Sequence, residues 1–305
     1  MNSFVDTETK VMPNGSTWPR LSAYAELTKL RISVMVLLTY LIAGMLAANA
    51  EMSLARLAWG AIAMALIAAS GNALNMYLER YTDFLMPRTA TRPLPAQRLG
   101  PTEVALFAAV CFGISVGIFF SLVNWQAGLC GLLTWFLYVF VYTPLKTRTW
   151  LNTEVGAVPG ALPVLMGALA ATGTINAWAW TLFGVLLLWQ FPHFMAIAWI
   201  YRDQYQKAGH RMLTVVDPTG HRAGRKAILT ALMLLLVSLI PVGLADGLTW
   251  QIGFGLAAFT LGWMYLRSSI QFARERNDTT ARRLLRVSIV YLPVYMILLI
   301  LVRQI

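Results

Sequence analysis

Nine long, predominantly apolar runs dictate what this chain can become. They lie at residues 32–49, 54–77, 103–123, 125–142, 154–172, 178–200, 227–245, 248–266 and 285–302. A hydrocarbon layer about 30 Å thick takes about twenty helical residues to cross, close to the length of these runs. No water inside such a layer pairs with backbone groups, so only helices and closed barrels span it. A barrel needs strands of about ten residues with alternating polarity, whereas these runs are continuously apolar. The predicted fold is all-α, a polytopic membrane protein built as a bundle of nine transmembrane helices. Composition agrees: the 305 residues are 58% hydrophobic and 12% charged, about half the charge of ordinary globular chains. A soluble enzyme, a secreted disulfide scaffold and a disordered tail are excluded on that ground. Cys111 and Cys130 sit inside apolar runs without metal-ligand spacing and read as small buried hydrophobes.

The 24 Lys and Arg outnumber the 13 Asp and Glu, an excess that nucleic-acid binding would also produce. Their distribution points elsewhere. All except Arg56 and Arg303 fall in the N-terminal segment or in the loops after the second, fourth, sixth and eighth runs, with Arg286 at the start of the ninth run grouped with the last of these. Cytoplasmic loops carry such an excess, so the N-terminus is expected in the cytoplasm, the C-terminus outside, and no nucleic acid is expected as a partner. Asp6, Glu8 and Pro13 stand where a basic and then apolar leader would be. Residues 1–20 read as a flexible N-terminal tail and 21–305 as a single domain. Gly113, Gly117, Gly156, Gly160 and Gly167 lie within runs, where small residues let helix backbones approach closely.

Chemistry is expected in the basic loops. Asn75, Glu79 and Asp83 recur at i, i+4 and i+8. If the second run continues as helix, they drift only about 40° per step and share one face over roughly 12 Å. Three oxygen donors in a row suit a hard cation, and Mg²⁺ prefers carboxylate and phosphate oxygens together. Arg88 and Arg92 follow with the donor geometry for phosphate, so the pattern predicts a metal–diphosphate site. The other reading is a solvated helix end on which opposite charges pair off. Lys146 and Arg148 read either as positive-inside anchors or as positive charge for a departing pyrophosphate. Gln190, Pro192 and His193 interrupt the sixth run, where polar groups usually face a cavity and Pro192 is expected to kink the helix. His193 is open to two roles, an interhelical hydrogen bond or a substrate contact; His210 and His221, in a basic loop, read as solvated. The same loop carries Asp203, Tyr205 and Lys207.

Asn75 to Leu94, followed by Tyr142-Thr-Pro-Leu-Lys146, resembles the intramembrane (UbiA-type) prenyltransferase family, over nearly all of residues 30–300. The continuation Met86-x-Arg88-Thr89-x-x-Arg92-Pro93-Leu94, with Trp189-Gln-x-Pro-His-Phe194, is most similar to the branch that farnesylates protohaem IX. Three positions depart from the pattern. Glu79 replaces an Asp of some members, Thr147 stands where a second basic residue is usual, and Gln204 stands where many members carry an acid, leaving Asp203. The resemblance implies a bacterial inner-membrane enzyme that joins farnesyl diphosphate to a vinyl group of haem b, with water addition, giving haem O. Haem b is then a substrate and Mg²⁺ the cofactor, held by Asn75, Glu79 and Asp83. Arg88, Arg92, Lys146 and Arg148 take up diphosphate charge, and Tyr77, Tyr81, Phe84, Tyr142 and Tyr205 shield an allylic cation. Asp203 with Lys207 either completes the diphosphate clamp or positions the water, and His193 contacts the porphyrin or its iron. Haem A synthase or oxidase assembly factors are the implied protein partners. Two rivals stand beside this reading: prenylation of an aromatic quinone precursor on the same fold, and a secondary transporter. Transporters place ionisable groups near the membrane midplane in broken helices, whereas here the acids lie at helix ends.

Overall fold

The computed structural model describes residues 17–303. Of the proposed tail, residues 1–16 lie outside the described residues, and its last four are helical. Every apolar run lies on a helical rod, and several rods extend past their runs at the motif end. In chain order these are α1 (Thr17–Leu27), α2 (Leu30–Leu46), α3 (Leu54–Phe84), α4 (Pro101–Ile118), α5 (Trp125–Phe136), α6 (Thr143–Leu145), α7 (Asn152–Thr172), α8 (Ala177–Ile200), α9 (Arg202–Lys207), α10 (Leu213–Val216), α11 (His221–Ser238), α12 (Leu248–Glu275) and α13 (Asp278–Arg303). Five-residue and six-residue π-helical turns, Phe119–Val123 and Leu137–Tyr142, prolong α4 and α5. Seven helical rods are long and apolar enough to cross a membrane, and α1 with α2, bent by 46°, makes an eighth. α12, with 28 residues, is long enough to cross but falls outside that set.

Successive rods run in opposite directions, so the connections gather at two ends. At the far end, short links carry capping side chains. Asn124 accepts from Ala127 N–H at 2.8 Å and Asn176 from Ala179 N–H at 3.0 Å, satisfying backbone donors that a helix start leaves unpaired. Arg303, the last described residue, donates there to Ala48 O at 2.9 Å and Leu46 O at 3.3 Å. The motif end carries the longer basic connections.

α7 lies at the centre, with 15 of its 21 residues buried. Its glycines explain how. A Cβ on Gly167 would sit 2.0 Å from Tyr40 O of α2, and one on Gly160 would sit 2.2 Å from Gln190 Oε1 of α8. Gly156 makes room for the Tyr142 ring, 2.5 Å from such a Cβ. Gly113 and Gly117 depart from expectation: nothing lies within 4 Å of either position, because the face of α4 carrying Leu106, Val110 and Ile114 points outward. The C-terminal half is organised around a buried tyrosine column, Tyr265 on Tyr291 at 5.4 Å and Tyr291 on Tyr295 at 5.8 Å. Cys111 and Cys130 are free thiols, the first buried and the second partly buried.

Candidate active site

α3 runs on as helix well past its most apolar stretch, to Phe84. Asn75, Glu79 and Asp83 therefore share a stripe, and all three are buried. Each meets a cation brought by a different part of the chain. Lys29 Nζ donates to Asn75 Oδ1 at 2.7 Å, Lys146 Nζ lies 2.6 Å from Glu79 Oε1, and Arg92 Nη1 donates to Asp83 Oδ2 at 2.7 Å. The pairing-off that the spacing allowed does occur, but inside the protein rather than on a solvated surface. Burial changes what it means, because charges held out of water interact strongly and cost much when left alone.

Local structure explains each placement. Past Phe84 the chain turns back on itself, with Met86, Thr89 and Leu94 buried as anchors. Thr89 Oγ1 donates to Asp83 O at 2.8 Å, which folds Arg92 back over Asp83. Lys146 is delivered by Pro144. Proline has no N–H for the carbonyl four residues earlier, and the preceding turn is the wider π form over Leu137–Tyr142. Tyr138 and Tyr142 stack there at 5.8 Å, and Lys146 Nζ lies 4.8 Å from the Tyr142 ring centre. Thr143 Oγ1 accepts from Asn75 Nδ2 at 3.0 Å. Burial alone would push the Lys146 ammonium down, but the Glu79 carboxylate and the tyrosine hydroxyls beside it drive it above the ordinary lysine range.

The second loop joins through Arg88, which donates to Tyr205 Oη at 3.2 Å and lies 4.6 Å over the Tyr201 ring. His210, expected in solvent, is buried near this junction, because its N–H donates to Tyr205 O at 2.9 Å and folds the loop inward. Burial, reinforced by the Lys146 charge, pushes its imidazole down to about 4. Asp203 is not brought in: it is 81% exposed and lies 4.0 Å from Arg202, on the outer face of α9. Lys207 and Arg148 are exposed as well. Of the expected aromatic wall, Tyr142 and Tyr205 adjoin the cluster. Tyr81 and Phe84 are exposed on the other face of α3, and Tyr77 packs under Arg80 at 4.6 Å.

His193 makes the interhelical bond, with Nδ1 2.7 Å from Ser288 Oγ of α13. Ser288 gives its own hydrogen to Leu285 O at 2.6 Å, so Nδ1 is the donor and Nε2 keeps its lone pair. Gln190 donates to Ala157 O at 3.0 Å, and α8 continues as helix through Pro192. Sequence reasoning missed Lys29, Asn72, Tyr138 and Thr143. Two of them had a helical signal, Asn72 three residues before Asn75 and Tyr138 four before Tyr142.

The donor chemistry suits a hard cation: one amide oxygen and two carboxylates, without sulfur or imidazole. Among the described residues no group of three His, Cys, Asp or Glu could hold a metal. A cation here would therefore take the rest of its coordination from a ligand, as Mg²⁺ does with phosphates.

Known proteins are similar to this chain in sequence or in fold. A protoheme IX farnesyltransferase of Rhodopirellula baltica is 43% identical over 280 residues, covering 90% of this chain and 97% of that one. One of Solibacter usitatus is 40% identical, covering 88% and 94%. Among solved structures, a digeranylgeranylglyceryl phosphate synthase superposes with TM-score 0.77 at 16% identity, over 93% of this chain and 98% of that one. A UbiA homolog from Archaeoglobus fulgidus, solved with GPP and Mg²⁺, gives 0.66 at 16% identity, over 92% and 100%. The UbiA prenyltransferase family model matches residues 36–290, and the chain belongs to that family of multi-pass membrane prenyltransferases.

Proposed function

We propose that this prenyltransferase moves a farnesyl group from farnesyl diphosphate to a vinyl group of haem b, adding water, to give haem O and diphosphate. The observation that carries the reading is the buried stripe of Asn75, Glu79 and Asp83, each faced by its own cation. The names and full-length coverage of the relatives support haem b as acceptor. Asn75, Glu79 and Asp83 would hold a Mg²⁺ arriving with the diphosphate, which would supply positive charge against it. Lys146 and Arg92 then exchange their carboxylate partners for diphosphate oxygens, and Arg88 joins them from the loop edge, with exposed Arg148 beyond. As the allylic C–O bond breaks, its electron pair leaves with the diphosphate. Tyr138, Tyr142 and Tyr205 offer ring faces to the cation left behind. The terminal vinyl carbon bonds to farnesyl C1, and the carbon next to the porphyrin takes water and releases a proton. His193, with Nε2 available, faces the porphyrin or its iron.

On this reading all nine rods cross the bacterial inner membrane, with the motif end and the N-terminus in the cytoplasm and Arg303 outside. Arg303 binding at the Leu46 end of α2 supports that assignment, since it groups the minority basic residues away from the cluster. Haem A synthase or oxidase assembly factors are the proposed recipients of the product. The test is incubation of the purified protein with haem b, farnesyl diphosphate and Mg²⁺, followed by mass analysis of the porphyrin. A porphyrin heavier by one farnesyl and one hydroxyl is expected. Unmodified haem, with prenylation of 4-hydroxybenzoate in a parallel incubation, overturns haem as the acceptor.

A further inference from the structure

Lys29 belongs to none of the motifs above. It lies in the turn between α1 and α2, with its backbone at φ 51°, ψ 52°. A non-glycine residue in this left-handed region is unfavourable and persists only where its surroundings hold it. Here they do. Asn72, one turn before Asn75 on α3, donates from Nδ2 to Thr28 O at 3.0 Å and to Ser33 Oγ at 3.2 Å. Ser33 donates to Thr28 O at 2.6 Å, and Tyr138 Oη donates to Asn72 Oδ1 at 3.2 Å, fixing the amide. The break aims the lysine back into the bundle, where Nζ lies 2.7 Å from Asn75 Oδ1 and 3.3 Å from Tyr138 Oη. A lysine serving only orientation extends outward to water; this one points the other way.

Asn75 Nδ2 is committed to Thr143 at 3.0 Å. Its oxygen is the atom left for a cation, and the Lys29 ammonium sits on it. We propose that Lys29 is a resident counter-cation that couples metal binding to diphosphate binding. It holds the Asn75 oxygen in the unloaded protein, yields it to a divalent cation, and donates instead to the diphosphate that arrives with that cation. The ammonium therefore opposes a bare metal and favours the metal–diphosphate pair. Asn72 is the positioning residue that keeps the break in place. The inference rests on Asn75, Glu79 and Asp83 facing the metal, as proposed above.

Lys29→Gly tests it, because glycine adopts the left-handed backbone freely and removes the ammonium without forcing a new fold. Mn²⁺ alone, followed by its paramagnetic resonance, should bind several-fold tighter to the variant. Pyrophosphate titrated calorimetrically in saturating Mg²⁺ should bind about tenfold weaker, the loss of one charge-assisted contact. Asn72→Ala should move both readouts in the same directions by less. Unchanged or weaker Mn²⁺ binding in Lys29→Gly, or undiminished pyrophosphate binding, overturns the coupling. Asp83→Asn separates the two ideas: lost Mn²⁺ binding upholds the metal-facing donors, and unaltered Mn²⁺ binding shows that the underlying metal reading itself has failed.

Discussion

Lys146→Met removes one partner of a buried ion pair and leaves the other in place. Glu79 is 8% exposed at its side chain and Lys146 18%, so neither charge recovers its hydration when its partner goes. Cutting one member of such a pair costs about 3–5 kcal/mol. The partial exposure of Lys146 places the loss toward the lower end, about 3 kcal/mol. Removing both charges is different, because well-packed neutral groups often match a buried ion pair in stability. The double variant Lys146→Met with Glu79→Gln should therefore regain most of the loss. Unfolding free energies from SDS titration of the detergent-solubilised protein, measured for wild type, both singles and the double, give the coupling directly. A double variant no more stable than its weaker parent would refute the buried-pair argument and leave Lys146 as an orientation charge.

Other outcomes follow from the same geometry. Asp83→Ala should abolish haem O formation while the protein remains in the membrane; Asp203→Asn, at an exposed side chain, should leave the rate within about threefold. Both are read by pigment analysis of membranes. Gly167→Ala should cost about 1–3 kcal/mol through overpacking of α7 against Tyr40, whereas Gly113→Ala should not destabilise, as paired melting curves will report. His210 has a folded value of about 4 against an ordinary 6.5. Above pH 6.5 it is neutral in both states. Between 6.5 and 4 the unfolded chain takes a proton that the folded loop refuses, so stability falls as pH drops through that window. Protection of the amides of residues 208–216, as exchange rates divided into the intrinsic rate at each pH, should fall from pH 7 to pH 5, and His210→Gln should flatten the change.

The helical runs were legible because lipid leaves the backbone few options, so each long apolar run marks where a helix lies. The stripe of Asn75, Glu79 and Asp83 was legible because a helix carries its periodicity past the apolar segment. What the sequence hid is what depends on chain reversal. Nothing local in Lys29 tells that its backbone turns left-handed and its side chain inward. His210 looks like any loop histidine until one backbone hydrogen bond folds its loop under. Asp203 shows the converse. A short helix such as α9 presents opposite faces within a few residues, so neighbouring polar residues part company, Tyr205 toward the cluster and Asp203 away from it.

The π turn over Leu137–Tyr142 makes the length of this segment a matter of angle. A π turn accommodates an extra residue without the usual advance around the helix axis. Forcing the same residues into an ordinary α-helix would not simply straighten the rod. It would restore that advance and swing everything beyond it by about 100°. Thr143 would leave Asn75, Lys146 would leave Glu79, and the Tyr142 ring would lose the hollow that Gly156 provides. The wide turn thus works as a phase setting between two helix ends. A one-residue deletion there lets an ordinary α-helix form with that lining still in register, whereas a change to α at constant length takes the lining out of register.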